Sequence, residues 1–318
     1  MKKILLFVFS ALAVVVVSCN KNDVTPDGPA AVEAEEQVGG TEIAFATEVP
    51  DAPTRATEVT TSNLSSIYVT ATKTVSGTTS AAWSNVNFTK GTGSDTKYKE
   101  RTNGGKWWPQ SDESYKFYAA NVALPTSGTT ITVSPSNANT DIVVGSATPA
   151  FKTADIPLTL NHIFAQIGTI GVTVNSNLAA YAISGLTISF DAKTSGTYNI
   201  GTNSWTTKGT GSSMALVSGA SIAVGGTFTT IANSDHRLVV PMEGSSNDAN
   251  NKYQFTANFT ITRGDYTKSV SRTAWVKLEQ GKRNNIAADL TIGDDGAVEI
   301  QFTVTVTDWV DTTQNITF

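Results

Sequence analysis

The sequence contains a single cysteine, Cys19, among its 318 residues. No internal disulfide is possible, so the fold depends on core packing alone. Charged residues are also sparse, at 15%, and the net charge of −5 comes without a cluster of Lys or Arg. Since nucleic-acid binding needs basic side chains to neutralise phosphates, no nucleic-acid partner is predicted.

Helix-forming stretches are missing as well. No long run is rich in Ala, Leu, Glu and Lys, and no 3.6-residue apolar repeat lasts beyond two turns. Thr, Ser, Gly, Asn and Val recur instead. Because β-branched residues fit pleated surfaces and Gly, Asn and Ser build turns, the composition predicts an all-β protein.

Catalytic groups are scarce. Of the two histidines, His162 lies in an apolar stretch and His236 in a polar one, and no sequence signal links either to a nucleophile. Cys19 and two distant histidines make no zinc ligand set, and Asp294-Asp295 lacks the spacing of a calcium loop. We predict no enzyme, no metal and no cofactor. A surface hydrolase built on an unrecognised carboxylate pair is a third, disfavoured alternative.

The N-terminus has the features of an export signal. Lys2 and Lys3 precede a 14-residue apolar run, Ile4–Val17, that is too short to span a bilayer and matches the apolar region of a cleaved signal. Cys19 directly after Ser18 resembles a lipobox, in which the thiol is acylated and becomes the new N-terminus. We predict a lipoprotein signal over residues 1–18, with a plain secretory signal as the alternative. The polar residues 19–40 are predicted to form a flexible tether.

Short alternating segments fill the rest of the chain and have the two-residue period of strands. Turn sequences such as Ser76-Gly77 and Gly225-Gly226 separate them, a pattern typical of β-sandwiches. Prolines at 149 and 157 precede an apolar stretch. We therefore predict two tandem β-sandwich domains, 41–157 and 158–318, with a boundary near residue 157.

The sequence of residues 41–55 predicts a strand followed by an open loop. Ile43, Phe45 and Val49 share one face of the predicted strand. Pro53 then interrupts pairing because it lacks a backbone donor, which leaves Arg55 in an accessible segment. Taken alone, Arg55 is either a protease site or an ordinary loop arginine.

The C-terminus holds two strand-like segments. Ile300, Phe302, Val304 and Val306 are in phase, which suits a strand that fills pockets along an open sheet edge. The same segment also fits the last strand of the chain's own sheet. In that case the remaining residues, with Val310, Ile316 and Phe318 in phase, become the exchanged piece, and the sequence does not decide between the two.

Several segments occur in an order that resembles one family. They are Glu42-Ile43-Ala44-Phe45-Ala46, Thr54-Arg55-Ala56-Thr57, Lys106-Trp107-Trp108-Pro109, Tyr115-Lys116-Phe117-Tyr118-Ala119-Ala120, Leu158 to Ile167, Leu278-Glu279-Gln280-Gly281-Lys282 and Val304 to Trp309. Together they resemble the fimbrillin-like subunits of Bacteroidota type V pili. The resemblance implies two sandwiches of the transthyretin-like or Greek-key kind.

The resemblance also implies a mechanism. A lipoprotein precursor, anchored through Cys19 in the outer membrane, reaches the cell surface with residues 41–55 in place as a removable strand. An arginine-specific protease cuts between Arg55 and Ala56, and the strand leaves. A C-terminal donor strand of another pilus subunit then fills the open groove, and the pilus supports adhesion.

The alternative function is a surface lipoprotein that binds glycans through its sandwich domains. Six tryptophans could stack on sugars if their rings were exposed, although core packing is the more common role. This alternative predicts exposed coplanar rings along a groove, whereas it does not require a protease site or spare terminal strands.

Overall fold

The computed structural model describes residues 40–50, 58–111, 113–125, 129–134, 140–178, 180–222, 227–231, 237–292, 298–308 and 313–314. Within these ranges the chain is all-β apart from one short 3₁₀ turn at Ser176–Leu178, which confirms the predicted fold class. No helix in the described part is long and apolar enough to cross a membrane.

The first sheet has eight strands. These are β1 (Ala44–Glu48), β2 (Ser66–Val75), β3 (Thr78–Lys90), β4 (Tyr98–Lys99), β5 (Ser114–Ala120), β7 (Val143–Ala147), β8 (Asp155–Thr159) and β9 (Asn161–His162), while β6 (Thr130–Val133) belongs to another sheet. Their order across the sheet is β8-β1-β4-β3-β2-β5-β7-β9. Strand β1, the first strand in the described residues, therefore lies in the interior of the sheet.

Alternation along these strands builds the first core. In β2, Ile67, Val69 and Ala71 point inward, and Phe117 of β5 joins them. The hairpin that joins β2 to β3 has Val75 opposite Thr78, so its turn is Ser76-Gly77. Both turn residues have positive φ, 48° and 81°. This is the backbone of a tight type I′ turn, and it explains why a glycine occupies the second position.

Most of the remaining strands form two facing sheets, and β12 (Gly196–Asn199) and β13 (Ser204–Lys208) join β6 in a separate small sheet. The strands of the two facing sheets are β10 (Ala165–Val174), β11 (Ala182–Lys193), β14 (Gly211–Ile222), β15 (Thr227–Ile231), β16 (Arg237–Val239), β17 (Tyr253–Arg263), β18 (Tyr266–Val276), β19 (Lys282–Ile292), β20 (Val298–Asp308) and β21 (Thr313–Gln314). One sheet has the order β15-β10-β19-β20-β21, with β16 also paired to β10, and the other has the order β14-β11-β17-β18. Side chains from both sheets share one apolar core, which is the packing of a β-sandwich.

A fourth, three-stranded sheet joins β6 to β12 and β13, although β6 lies far from them in sequence. Its side chains, among them Ile131 and Tyr198, pack with Ala120 and Val144 on the outer face of the first sheet. Strands of the first sheet continue to His162, and the second begins at Ala165. The boundary near residue 157 stays a prediction.

Candidate functional site

Strand β1 is held by a ladder on each side. Its five residues pair in parallel with β8, from Ala44 opposite Asp155 to Glu48 opposite Thr159. On the other side Ala44 and Phe45 pair antiparallel with Lys99 and Tyr98 of β4. Removal of β1 would therefore leave two strands with unpaired backbone groups, and each unpaired buried group is costly.

The residues just before β1 extend the contact. The Ile43 N–H donates to the carbonyl of Lys106 at 2.7 Å, and the Trp108 N–H donates to the carbonyl of Thr41 at 2.9 Å. The carboxylate of Glu42 lies 2.9 Å from the ammonium of Lys99. The hydrogen bond from Lys99 to Glu42 raises the pKa of the lysine. The segment is thus aligned by backbone pairing and by one ion pair.

The predicted face of this strand is buried. Ile43, Phe45 and Val49 are 1%, 0% and 2% exposed. The Phe45 ring packs edge-to-face on Phe88 and Phe117, with centroid distances of 5.0 and 5.3 Å. Burial of the three side chains contributes roughly 5–9 kcal/mol in total at about 1.5–3 kcal/mol for each. The pockets that they occupy are apolar and shaped by rings.

The end of the strand is fixed by polar contacts. The Thr159 hydroxyl donates to the Glu48 carboxylate at 2.9 Å, and the Leu160 N–H donates to the Glu48 carbonyl at 2.9 Å. The Thr61 hydroxyl both accepts from the Val49 N–H and donates to its carbonyl. Arg55 and Ala56 follow in 51–57, outside the described residues. Cys19 lies outside them as well.

A buried polar cluster begins directly after residues 51–57. Glu58, 2% exposed, accepts hydrogen bonds from the Gln166 amide at 2.6 Å and from the Arg283 guanidinium at 3.2 Å. Arg283 also donates to the Gln166 side-chain oxygen at 2.9 Å. Gln166 belongs to β10 and Arg283 to β19, so Glu58 is tied to the second half of the chain. We call these three residues the Glu58 cluster.

A second contact holds the next residue. The Val59 N–H donates to the Asp141 carboxylate at 2.9 Å, and the other Asp141 oxygen lies 2.9 Å from Nδ1 of buried His162. His162 is thus a structural residue in the core, as its apolar surroundings in the sequence indicate. The chain is anchored at residues 58 and 59, just beyond the predicted cut.

The loop before Trp107 is organised by a buried carboxylate. Glu100, 3% exposed, accepts the backbone N–H groups of Thr102, Asn103 and Gly105 at 2.7–3.0 Å. Burial raises the pKa of Glu100, but these three donors outweigh it, and the net pKa is lowered. The loop leads into residues 106–108, which pair with 41–43.

We expect acid to weaken this loop. Because the folded pKa of Glu100 is depressed, its contribution is complete above the ordinary glutamate pKa of about 4.3 and is lost as pH falls through the lower folded value. Urea unfolding between pH 6 and 2 should show Glu100→Gln less stable at pH 6, on the order of 1–3 kcal/mol, with the difference shrinking in acid. A difference that stays constant over this range would contradict the assignment. Glu113→Gln, which also alters a carboxylate, is the control.

The C-terminal segment forms part of the chain's own sheet. β20 pairs antiparallel with β19 over all eleven of its residues, from Val298 opposite Ile292 to Asp308 opposite Lys282. On its other side, β21 pairs only with Val306 and Thr307. The backbone of the predicted donor residues Ile300, Phe302, Val304 and Val306 therefore lies in this strand. Val310, Ile316 and Phe318 fall outside the described residues.

The tryptophans are mostly packed inside. Trp108 is buried, Trp83 and Trp205 pack against apolar cores, and Trp275 is half-buried. Trp107, 40% exposed, and Tyr266, 51% exposed, are the two exposed aromatic residues whose side chains the structure describes. Trp107 forms an isolated bridge with Glu42, whereas Tyr266 begins β18. The described rings offer no paired platform for a sugar. No group of three metal-binding side chains occurs among the described residues.

Sequence reasoning identified Ile43, Phe45 and Val49 but missed the polar residues that fix the strand and the chain after it. Glu58, Arg283 and Gln166 lie more than a hundred positions apart in sequence, as do Glu48 and Thr159. Because the chain has few charged residues, a charged residue in an apolar context is informative about buried polar contacts. No other feature of the sequence pointed to these residues.

The fold and the site together define an all-β protein in which a short N-terminal strand completes a sheet. A model of the fimbrillin-like family matches residues 54–309. The chain belongs to the fimbrillin-like family, which comprises structural adhesion subunits and not enzymes.

Solved structures agree on the fold. A fimbrial protein from Bacteroides vulgatus is 16% identical, with a TM-score of 0.57, over 84% of this chain and 99% of that one. A candidate cell adhesion protein from Parabacteroides distasonis is 10% identical, with a TM-score of 0.50, over 86% and 99% of the two chains. The comparison with curated protein sequences finds no match.

Proposed function

We propose that this fimbrillin-like chain is a pilus subunit that assembles by β-strand exchange after proteolytic removal of its first strand. One observation carries the proposal: β1 lies between β4 and β8 in the interior of a sheet, directly before the segment that contains Arg55. A cut after Arg55 leaves this interior strand with no covalent link to the rest of the fold.

The energetics favour exchange over simple loss. An emptied site would expose the pockets of Ile43, Phe45 and Val49 and the backbone edges of β4 and β8. Roughly 5–9 kcal/mol of side-chain burial would be lost, in addition to the ladder bonds. We infer that the strand leaves as another strand enters, because the incoming strand replaces both contributions.

The anchored residues after the cut make the removal selective. Glu58 and Val59 hold the new chain end through the Glu58 cluster and through Asp141. These contacts are separate from those of β1. The strand can therefore leave while the chain from residue 58 onward stays in place.

Export as a lipoprotein would determine where the subunit is located in the cell. Cys19 after a short apolar run would be acylated, and two or three acyl chains hold a protein stably on a membrane since each buried CH₂ contributes about 0.8 kcal/mol. The subunit would reach the outer surface of the outer membrane on the tether 19–40. A cut at Arg55 then releases the subunit from its anchor and exposes its groove in the same step.

We expect an arginine-specific protease to cut the precursor between Arg55 and Ala56, because Pro53 has no N–H to donate to a β-ladder. N-terminal sequencing of the product should begin at Ala56, and mass spectrometry should find the released fragment, which ends at Arg55 and includes the tether and residues 41–55, when polymers form. Arg55→Lys is the matched control, since it keeps the charge and blocks only an arginine-specific enzyme. A product that never begins at Ala56 would refute the processing step.

A further inference from the structure

One side of β1 is paired with another strand over only part of its length. Thr41 and Ile43 bond to the loop at 106–108, and Phe45 pairs with Tyr98 of β4. Beyond Phe45, none of the described strands pairs with this side of β1. The backbone groups at the end of the segment therefore need another source of hydrogen bonds.

A side-chain hydroxyl supplies these bonds at Val49. The Val49 N–H donates to Oγ1 of Thr61 at 2.8 Å, and the same hydroxyl donates to the Val49 carbonyl at 3.0 Å. One hydroxyl can do both because it carries one donor hydrogen and two acceptor lone pairs. A residue of an antiparallel partner strand would make the same two bonds, one to the N–H and one to the carbonyl. Thr61 therefore takes the place of a strand residue at the end of the ladder.

We propose that Thr61 is a positioning residue of the β1 site, which binds the backbone of whichever strand lies there and slows the release of that strand. This inference rests on the proposed strand exchange and adds to it the residue that holds the end of the exchanged strand. Both bonds go to main-chain atoms, so the contact is independent of the side chain at the Val49 position. Proline is the exception, because it has no N–H to donate.

The loop that carries Thr61 is held in a fixed shape. The Thr60 N–H donates to the Asn63 side-chain oxygen at 2.8 Å, and the Leu64 N–H donates to the Thr60 carbonyl at 3.0 Å, which closes a turn around Thr61. The ammonium of Lys90 on β3 donates to the Thr61 carbonyl at 2.8 Å. Because these contacts fix the backbone of Thr61, its hydroxyl is already placed for a strand, and little conformational entropy is lost when the strand binds.

The same loop is joined to β4 at the point where the pairing of β4 with β1 ends. Tyr98, opposite Phe45 in that ladder, donates its hydroxyl to the Leu64 carbonyl at 2.6 Å. Leu64 is itself buried in the apolar core that contains Phe45. Residues 58–65 therefore extend the side of the site that β4 begins.

Thr61 lies on the retained side of the predicted cut. It is the sixth residue after Arg55, and the chain between them is held by the Glu58 cluster. Glu42 and Glu48, by contrast, leave with the strand, and their side-chain contacts are lost with them. The Thr61 hydroxyl is thus available both to the outgoing strand and to its replacement.

The rate at which the cut strand is released tests this role. An unacylated precursor has Cys19 as its only thiol, so a fluorophore on Cys19 labels the fragment that ends at Arg55. After cleavage, gel filtration at successive times measures how much label stays with the subunit in the presence of excess unlabelled cut subunits. We expect Thr61→Val to release the label about tenfold faster than wild type, which is the scale of one or two neutral hydrogen bonds. Thr61→Ser, which keeps the hydroxyl, should release it at the wild-type rate.

A release rate in Thr61→Val that equals wild type would overturn the inference. Equal acceleration in Thr61→Ser would overturn it too, because packing and not the hydroxyl would then be the cause. A wild-type fragment that never leaves the subunit would instead refute the proposed function.

Hydrogen exchange of the uncut precursor tests the contact independently of cleavage and assembly. We expect the Val49 amide to exchange at least about fivefold faster in Thr61→Val than in wild type, because it loses its acceptor. The Phe45 amide, in the ladder with β4, should be unchanged, and Thr61→Ser should keep the protection of Val49. An unchanged Val49 amide in Thr61→Val would overturn the role of Thr61 whatever the outcome of the release experiment.

Discussion

A precursor that carries Glu48→Cys and Thr159→Cys is expected to be cut after Arg55 and yet to remain monomeric until the disulfide is reduced. The two residues are opposite each other in the parallel ladder of β1 and β8, and their side chains are in contact. Neighbouring strands lie about 4.7–4.9 Å apart, which is within the Cα separation that a disulfide allows. The bond keeps β1 in its site, so no incoming strand can replace it.

The measurement combines two readings on the same sample, with Cys19→Ser included so that no third thiol is present. N-terminal sequencing reports the cut, and electron microscopy with size-exclusion chromatography reports polymers before and after dithiothreitol. Glu48→Ser/Thr159→Ser, which cannot form the bond, should polymerise in both conditions. Polymers that form in the oxidised double-cysteine variant would show that assembly does not need the site of β1.

The part of this site that could be predicted from the sequence is the part governed by local rules. The two-residue alternation places Ile43, Phe45 and Val49 on one side, and a strand in a sandwich buries that side. The turn at Ser76-Gly77 follows from the preference of tight hairpins for such residues. Neither inference needs knowledge of which strands become neighbours.

The neighbours themselves depend on contacts between distant residues. Nothing near Ala44 in the sequence indicates that it pairs in parallel with Asp155, more than a hundred positions away. The pairing of β6 with β12 in the three-stranded sheet joins residues that are equally remote in sequence. The role of residues 298–308 could not be decided from the sequence for the same reason. Their alternation fits both a strand beside β19 and a strand in the site of β1, and the choice depends on the relative stability of two assemblies.

The residues around the predicted cut divide into two kinds of contact. Before it, the buried contacts are apolar side chains and backbone ladders, which another strand of similar sequence can reproduce, and the polar side-chain contacts of Glu42 and Glu48 lie nearer the surface. After it, the chain is held by charged and polar side chains in specific geometry. The first kind of contact suits a strand that is replaced, and the second kind suits a segment that stays in place. The position of Arg55 between the two segments agrees with its proposed role as the cut site.

Arg283→Met should destabilise the precursor by about 3–5 kcal/mol, because it removes the cation from a carboxylate that is 2% exposed. The double variant Glu58→Gln/Arg283→Met should recover at least half of this loss, since a neutral amide has no unpaired charge to bury. Urea unfolding of the precursor, with Cys19→Ser, gives both values. Equal losses in the single and double variants would show that the methionine packs poorly and that the charge is not the cause.

After the cut, the Arg283→Met subunit should also lose residues 56–64 to aminopeptidase faster than wild type, because the Glu58 cluster no longer holds the new chain end.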